Sequence, residues 1–388
     1  MGVVAVLGAA GTIGPAIVRD LAERPGITHL LLLDRAAEPL AAVATEHAEG
    51  RSSTRIVDAA DAGGLAGALR VSGAEVLVNA ASYRLNLAAM EGAVAAECHY
   101  VDLGGLYHTT LRQLELDERY RAAGRTAVLG MGASPGKTNL LAALGARRLD
   151  QVDELHVAAA ATDPTPPGHT GLTAPYALET ILDELTLPAV VVRDGDVGEV
   201  PALTDAGKID FPDPVGPRSS VYTLHSELAT FPSSFPGVRS VSFRLSLAPA
   251  LAERVELLAR CGLADLDPLP LADGTTVVPR AVLLASLARR GATAPPSNRT
   301  TAVHLVDALG RGPDGAATTV RVAAVTVPHD RWGLGGGVVS TAAPAAEAAV
   351  RLLAGDVLTT GVVPPEQAFE PAPFLDALAA TGCTVTVG

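Results

Sequence analysis

A chain of 388 residues exceeds what one hydrophobic core usually serves and suits two domains. Hydrophobic residues make up 48%, but the apolar runs are short and broken by Gly and charge, none near the ~20 residues of a membrane helix. A net charge of −13 repels nucleic acid and anionic lipid, so neither partner is expected. The three cysteines, Cys98, Cys261 and Cys383, lie too far apart for a metal site or a disulfide framework. No bound metal is expected, and with no signal peptide read at the start the expected compartment is the cytoplasm.

Val3–Leu7 is an apolar run ending in Gly, the pattern of a strand buried on both faces. Pro15–Glu23 has helical periodicity and stops at Pro25-Gly26. Strand His29–Leu33 follows, ending at Asp34, then a helix over Ala36–His47 and a short strand Arg55–Val57. Helix Ala62–Leu69, strand Glu75–Asn79, helix Asn86–Ala96 and strand His99–Leu103 continue the alternation. A long charged helix over Leu111–Ala123 and a strand Thr126–Met131 complete it. Alternating strands and helices predict a doubly wound parallel sheet. After about Leu149 the rhythm changes. Leu155–Ala161, Ala189–Val192, Val238–Ser246 and Thr318–Val327 read as strands of a mixed, largely antiparallel sheet in a second α+β domain. Proline-rich loops at Pro164–Pro167, Phe211–Pro217, Pro268–Pro270 and Pro295–Pro296 separate them. Helix Ala343–Leu353 follows, in a tail expected to pack back on the first domain. The expected divisions are 1–132, 133–335 and 336–388.

Gly8-Ala9-Ala10-Gly11-Thr12-Ile13-Gly14 lies between a strand and a helix. Gly8 permits a tight turn, Gly11 lets the backbone approach a pyrophosphate, and Gly14 lets helix and strand pack closely. The helix N-terminus, with Ala10, Thr12 and Ile13 around it, offers free N–H groups to phosphates. Asp34, 20 positions after Gly14 at the end of the next strand, fits a ribose 2′-OH acceptor. The pattern is the Rossmann fingerprint for a nicotinamide dinucleotide. Asp34 favours NAD by repelling a 2′-phosphate, while the neighbouring Arg35 leaves NADP open. Asn79-Ala80-Ala81 ends another parallel strand and should also line the cofactor. Gly132–Thr138 resembles a triphosphate-binding loop, but Met131 stands where its first glycine belongs, so that reading is rejected.

Oxidation at a C–N bond needs a neutral amine and hence a base or a low-dielectric pocket. Strand ends supply the candidates for proton transfer: Tyr83, Asp102 in Tyr100-Val101-Asp102-Leu103-Gly104-Gly105, His108, and Lys137. Lys137 draws notice because the chain has only one other lysine, Lys208. Each has a plainer alternative: a turn cap for Asp102, packing for Tyr83, an exposed loop position for His108 and Lys137. Tyr83, Asp102 and Lys137 are also candidate substrate contacts, with His225 in Tyr222–Glu227 and Arg244, whose guanidinium would match a carboxylate.

Gly8–Gly11, Val78-Asn79-Ala80, Tyr100–Gly105 and Ser134-Pro135-Gly136-Lys137-Thr138-Asn139 together resemble the saccharopine dehydrogenase family, most nearly its lysine 6-dehydrogenase branch. Pro188–Gly195, Ser234-Phe235-Pro236 and Gly361–Glu366 extend the resemblance over nearly the whole chain. It implies a Rossmann domain, a middle domain for substrate and dimerisation, and NAD-dependent oxidation of an amine to an imine. It also implies a homodimer, and that Tyr83, Asp102 and the 134–139 loop line the nicotinamide pocket. Two departures bear on the substrate. Relatives place an apolar residue at Lys137, and the Arg244-Leu245-Ser246-Leu247-Ala248 stretch lacks a histidine that relatives carry. The expected activity is therefore NAD(P)-dependent oxidoreduction at a C–N bond of an amino acid or related amine. Reductive amination or imine reduction with NADPH and a dinucleotide sensor without turnover are the alternatives.

Overall fold

In a computed structural model, residues 2–164, 177–247, 249–289 and 297–388 are described. The sequence-predicted loop residues 165–167 and 295–296, and Ala248, lie outside them. The first half alternates β1 (Gly2–Leu7), α1 (Gly14–Glu23), β2 (Ile27–Asp34), α2 (Ala37–His47), β3 (Ser52–Ile56), α3 (Ala62–Ser72) and β4 (Val76–Asn79). It continues with α4 (Asn86–Ala95), β5 (His99–Asp102), α5 (Leu106–Leu114), α6 (Asp117–Ala122), β6 (Thr126–Val128) and α7 (Lys137–Ala146). The strands form one parallel sheet in the order β3-β2-β1-β4-β5-β6, with Gly361–Val363 added beyond β6. Strand order reverses between β1 and β4, the switch point where dinucleotides bind in such sheets.

The apolar runs are continuous because both faces are buried. Val4 and Val6 enter one core while Ala5 and Leu7 enter another on the opposite face. Leu30 and Leu32 divide from Leu31 and Leu33 in the same way, as a period of two requires. The first core runs on without a break into the second domain, through Leu155, Val157, Val241, Phe243 and Val306.

The second domain carries a nine-stranded sheet whose spine is β7 (Gln151–Thr162). Ser240–Ser246 pairs parallel to it, and Thr301–Arg311 pairs antiparallel on its other side. Pro217–Tyr222 and Asp205–Asp210 extend the sheet one way, Ala317–Thr326 and Cys383–Val387 the other. The expected mixed, largely antiparallel sheet is present, with Ser240–Ser246 on β7 as the one parallel pairing of this sheet among the described residues.

Several expectations need correction. The charged helix over Leu111–Ala123 is two helices, α5 and α6, and the break frees Asp117 to accept the Val362 N–H at 2.8 Å. The helix expected over Ala343–Leu353 begins at Gly336, and Pro344 sits inside it. Its glycine start reads as loop in sequence, but a Cβ on Gly336 would lie 2.1 Å from the Thr326 carbonyl oxygen, so the close approach demands glycine. The tail does not return whole to the first domain. Gly361–Val363 pairs with β6, whereas Cys383–Val387 joins Ala317–Thr326 in the second sheet.

Candidate active site

The glycine-rich turn is built around close backbone contacts. Gly8 has φ +74, and a Cβ there would meet Ala81 N at 2.6 Å, so β1 and β4 touch at the switch point through Gly8 and Ala80-Ala81. Gly11 N–H donates to the Gly8 carbonyl at 3.0 Å, folding the turn back on itself. Gly11 and Thr12 are exposed, Ile13 is buried, and α1 starts with no side-chain cap. Pro15 has no N–H and Ala16 N–H is taken by the Ile13 carbonyl at 3.1 Å, so the amides left for an anion are those of Thr12, Ile13 and Gly14. Asp34 is oriented by three backbone donors: Oδ2 accepts Ala10 N–H at 3.1 Å, and Oδ1 accepts Arg35 and Ala36 N–H at 2.7 and 3.1 Å. Arg35 is exposed beside it. Asn79 shapes the adjoining turn, accepting Ala81 N–H and donating to Asn86 and to the Tyr100 hydroxyl. A turn with no room for side chains, an uncapped helix and a fixed acid fit a dinucleotide.

Beyond the C-terminal ends of β4, β5 and β6, the two domains meet in a buried polar cluster. Asp102 lies at its floor. Its Oδ1 accepts Gly104 N–H at 2.9 Å and Gly130 N–H at 2.7 Å, and its Oδ2 accepts Gln113 Nε2 at 2.6 Å. Burial pushes this carboxyl above its usual range, against those donors. It ties the 102–104 and 130 loops together.

Above it, loop 223–227 brings in His225, stacked 3.5 Å from Phe243. Its Nδ1 is 2.6 Å from Glu227 Oε2, and its Nε2 is 3.9 Å from Glu184 Oε1. The other Glu227 oxygen accepts the Ser134 and Thr138 hydroxyls at 2.9 and 2.8 Å, fixing the second domain to the loop before α7. Burial disfavours a charged His225, but Glu227 and then Glu184 outweigh it and hold the ring above its ordinary range. Burial would likewise raise Glu227; His225 and Thr138 bring it below the usual range. His304, on the neighbouring strand, is the opposite case: burial, then the charges of Lys137 and His225, push it well below. Its Nδ1 has no partner, and neither do the buried hydroxyls of Thr223 and Ser226. Ser226 Oγ lies 3.7 Å from where a Cβ on Gly104 would be, so this free hydroxyl adjoins the 102–104 loop.

The other candidates fall elsewhere. Tyr83 donates its hydroxyl to Asp183 at 2.6 Å. His108 is exposed on α5, its ring edge-on to Tyr107. Lys137 points into a narrow crevice lined by Val339, Ala343 and Cys383, donating to Thr326 Oγ1 at 3.1 Å and to Ser340 Oγ. It is fully buried, and burial lowers its pKa. Phe243 faces His225, so its neighbour on the strand, Arg244, points to the opposite face, where Asp307, Tyr222 and Arg321 surround it. Glu184 and His304 carry no mark in the sequence, whereas Glu227 ends the Tyr222–Glu227 stretch, at a His-x-Glu spacing from His225.

Lys137 yields a pH prediction. A lysine whose folded pKa is depressed binds its proton less readily in the native state, so stability should rise with pH through the folded pKa toward the ordinary 10.5. Urea midpoints measured from pH 7 to 10 should show this rise in the wild type and its loss in Lys137→Met. Parallel curves would place the ammonium in water.

A glycine turn leading into an uncapped helix at the switch point and a buried polar cluster under the second domain point to a two-domain, dinucleotide-dependent oxidoreductase. Residues 4–128 match the saccharopine dehydrogenase NADP binding domain and residues 132–383 the saccharopine dehydrogenase C-terminal domain, so the chain belongs to the saccharopine dehydrogenase family. It is an NAD(P)-dependent enzyme of that family, whose members act on CH–NH groups. It is 28% identical over 329 residues to carboxynorspermidine synthase of Vibrio cholerae, covering 79% of this chain and 76% of that one. It is 23% identical over 293 residues to carboxyaminopropylagmatine dehydrogenase of Synechocystis, covering 74% and 72%. Saccharopine dehydrogenase (L-Glu forming) of Saccharomyces cerevisiae shares the fold over 100% of both chains, at 16% identity and a TM-score of 0.74. Among the described residues no helix is long and apolar enough to cross a membrane.

Proposed function

We propose that this enzyme interconverts an amine and an imine, working as a reductase that joins an amine to a carbonyl compound. The observation that carries this reading is the buried cluster of His225, Glu227 and Glu184, with the unpartnered Ser226 hydroxyl beside Gly104. The name of the Vibrio cholerae relative, a synthase, supports the reductive direction. The bound nicotinamide supplies or accepts the hydride. The chain's own residues handle the protons. An imine accepts hydride readily only when protonated, and His225, whose pKa two carboxylates raise, is the donor for that nitrogen. Glu227 holds Nδ1, leaving Nε2 as the proton that can leave. The proton that His225 adds stays on the product amine; His304, kept neutral, is the acceptor for the proton that the incoming ammonium gives up before it attacks the carbonyl. The cluster's two carboxylates against one imidazolium favour a cationic amine. Asp34 supports a preference for NAD(H) over NADP(H).

The test is absorbance at 340 nm. Diamines with an amino-acid aldehyde are supplied with NADH or NADPH, and in the other direction lysine and other diamino acids with NAD or NADP. Reductive turnover exceeding oxidation at neutral pH is expected. Oxidation of the lysine ε-amine as the faster reaction would instead establish the oxidative reading, and cofactor binding with no turnover would favour a sensor.

A further inference from the structure

Outside both the glycine turn and the His225 cluster, a second polar cluster crosses between the domains. Tyr83 and Arg84 stand on a short turn, Tyr83–Leu85, that follows Ala80-Ala81. The Tyr83 hydroxyl and Arg84 Nη2 each donate to Asp183 Oδ2 at 2.6 Å. Asp183 lies on the second-domain helix Leu178–Thr186 and is fully buried. Its other oxygen accepts from Arg280 Nη1, and Arg280 is itself fixed by Ala264 O at 2.7 Å and Thr186 Oγ1 at 3.2 Å. Arg84 also pairs with Glu179 one turn earlier, at 3.4 Å, and lies 5.2 Å from the Tyr83 ring centre.

We propose that Asp183 is a positioning residue: the fixed half of a clasp, with Tyr83 and Arg84 as its docking half, through which the bound dinucleotide registers the second domain over the cofactor. Three features carry this. First, the cluster is asymmetric. Asp183 keeps Arg280 from its own domain, so undocking Tyr83 and Arg84 does not strand a buried charge, which a reversible joint requires. Arg84 is 39% exposed at its side chain and can return to water.

Second, the docking half is wired to the cofactor site. Gly8 packs directly on Ala80-Ala81, two residues before Tyr83, so ordering the glycine turn orders the base of the Tyr83–Leu85 turn. Third, the fixed half is wired to the His225 cluster. Glu184, next to Asp183, faces His225 Nε2 at 3.9 Å. One helix therefore reads the position of the dinucleotide domain through Asp183 and sets the distance to His225 through Glu184. Tyr83 thus contributes through Asp183, not by moving a proton, and burial with the Asp183 contact keeps its hydroxyl well above the ordinary range.

Amide hydrogen exchange on the full-length protein with NADH or NADPH alone tests this without a substrate. In the wild type, saturating cofactor is expected to slow exchange of helix Leu178–Thr186 at least tenfold, along with the turn at Gly8–Gly14. In Tyr83→Phe/Arg84→Met, which leaves the Asp183–Arg280 pair intact, cofactor should still protect Gly8–Gly14 but no longer protect that helix. With a substrate in hand, the double variant should lose kcat at unchanged cofactor affinity, and Arg84→Lys should restore part of it. Equal protection of the helix in wild type and double variant, or none in the wild type while Gly8–Gly14 is protected, would overturn the proposal.

Discussion

Glu227→Gln is expected to lower kcat by about 100-fold, the usual contribution of a positioned acid or base. It should also cost about 3 kcal/mol of stability, because it leaves a buried imidazolium short of its partner. The substitution keeps the shape and the Ser134 and Thr138 contacts within reach, while removing the charge that holds His225 protonated. The pH dependence separates the two effects. Glu227 has a depressed folded pKa, so its contribution is present above the ordinary 4.5 and is lost as pH falls through the folded value. His225 has a raised one, so its contribution is complete below the ordinary 6.5 and is lost as pH rises through the folded value. The wild type should therefore lose stability on both sides of this window, and the Gln variant should lack the acid limb contributed by Glu227. Its kcat–pH profile should fall at lower pH than that of the wild type, as His225 gives up its proton more easily. An unshifted profile with full kcat would remove the pair from the chemistry.

Gly14→Ala should be more damaging to the cofactor site than any side-chain deletion there. A Cβ at position 14 would stand 2.2 Å from the Gly8 carbonyl oxygen and 2.7 Å from the Ala9 carbonyl carbon. Both are backbone atoms, so relief requires moving the turn or α1 itself. A loss of about 2 kcal/mol in stability is expected, the scale of an overpacked site. Dinucleotide affinity should fall by roughly 100-fold, since the free amides of α1 no longer aim at the phosphates. Gly26→Ala is the control, because no atom lies within 4 Å of its Cβ. Urea denaturation and fluorescence titration with NADH measure the two effects, and wild-type binding by Gly14→Ala would show that the helix start does not hold the cofactor.

The cofactor turn was legible because its constraints are local. Gly8, Gly11, Gly14 and Asp34 lie within one βαβ unit, and their spacing alone encodes strand, turn, helix and next strand. The His225 cluster was not, because its groups come from three separate elements. Glu184, His225 and His304 sit on a helix, a loop and a strand that only tertiary pairing brings together. Arg244 shows how small the missing information is: one residue of register decides between the face of Phe243 and the face of Asp307. The rarity of Lys137 was legible, but its burial was not. Its partners lie 189 and 203 positions away, so nothing nearby in the sequence marks the ammonium as inward-facing. Strand Thr301–Arg311 escaped notice for a related reason, since its alternation is obscured by burial on both faces over most of its length.

The tail strands have a consequence for how the molecule is assembled. Gly361–Val363 finishes the border of the parallel sheet, and Cys383–Val387 finishes one border of the second. A ribosome that has not yet delivered this segment leaves β6 and Ala317–Thr326 as open edges, with their backbone donors and acceptors available to any passing strand. Both halves of the protein therefore take one border strand from the same short stretch of chain. Nascent chains stopped before residue 361 should depend on holding chaperones far more than the finished enzyme does.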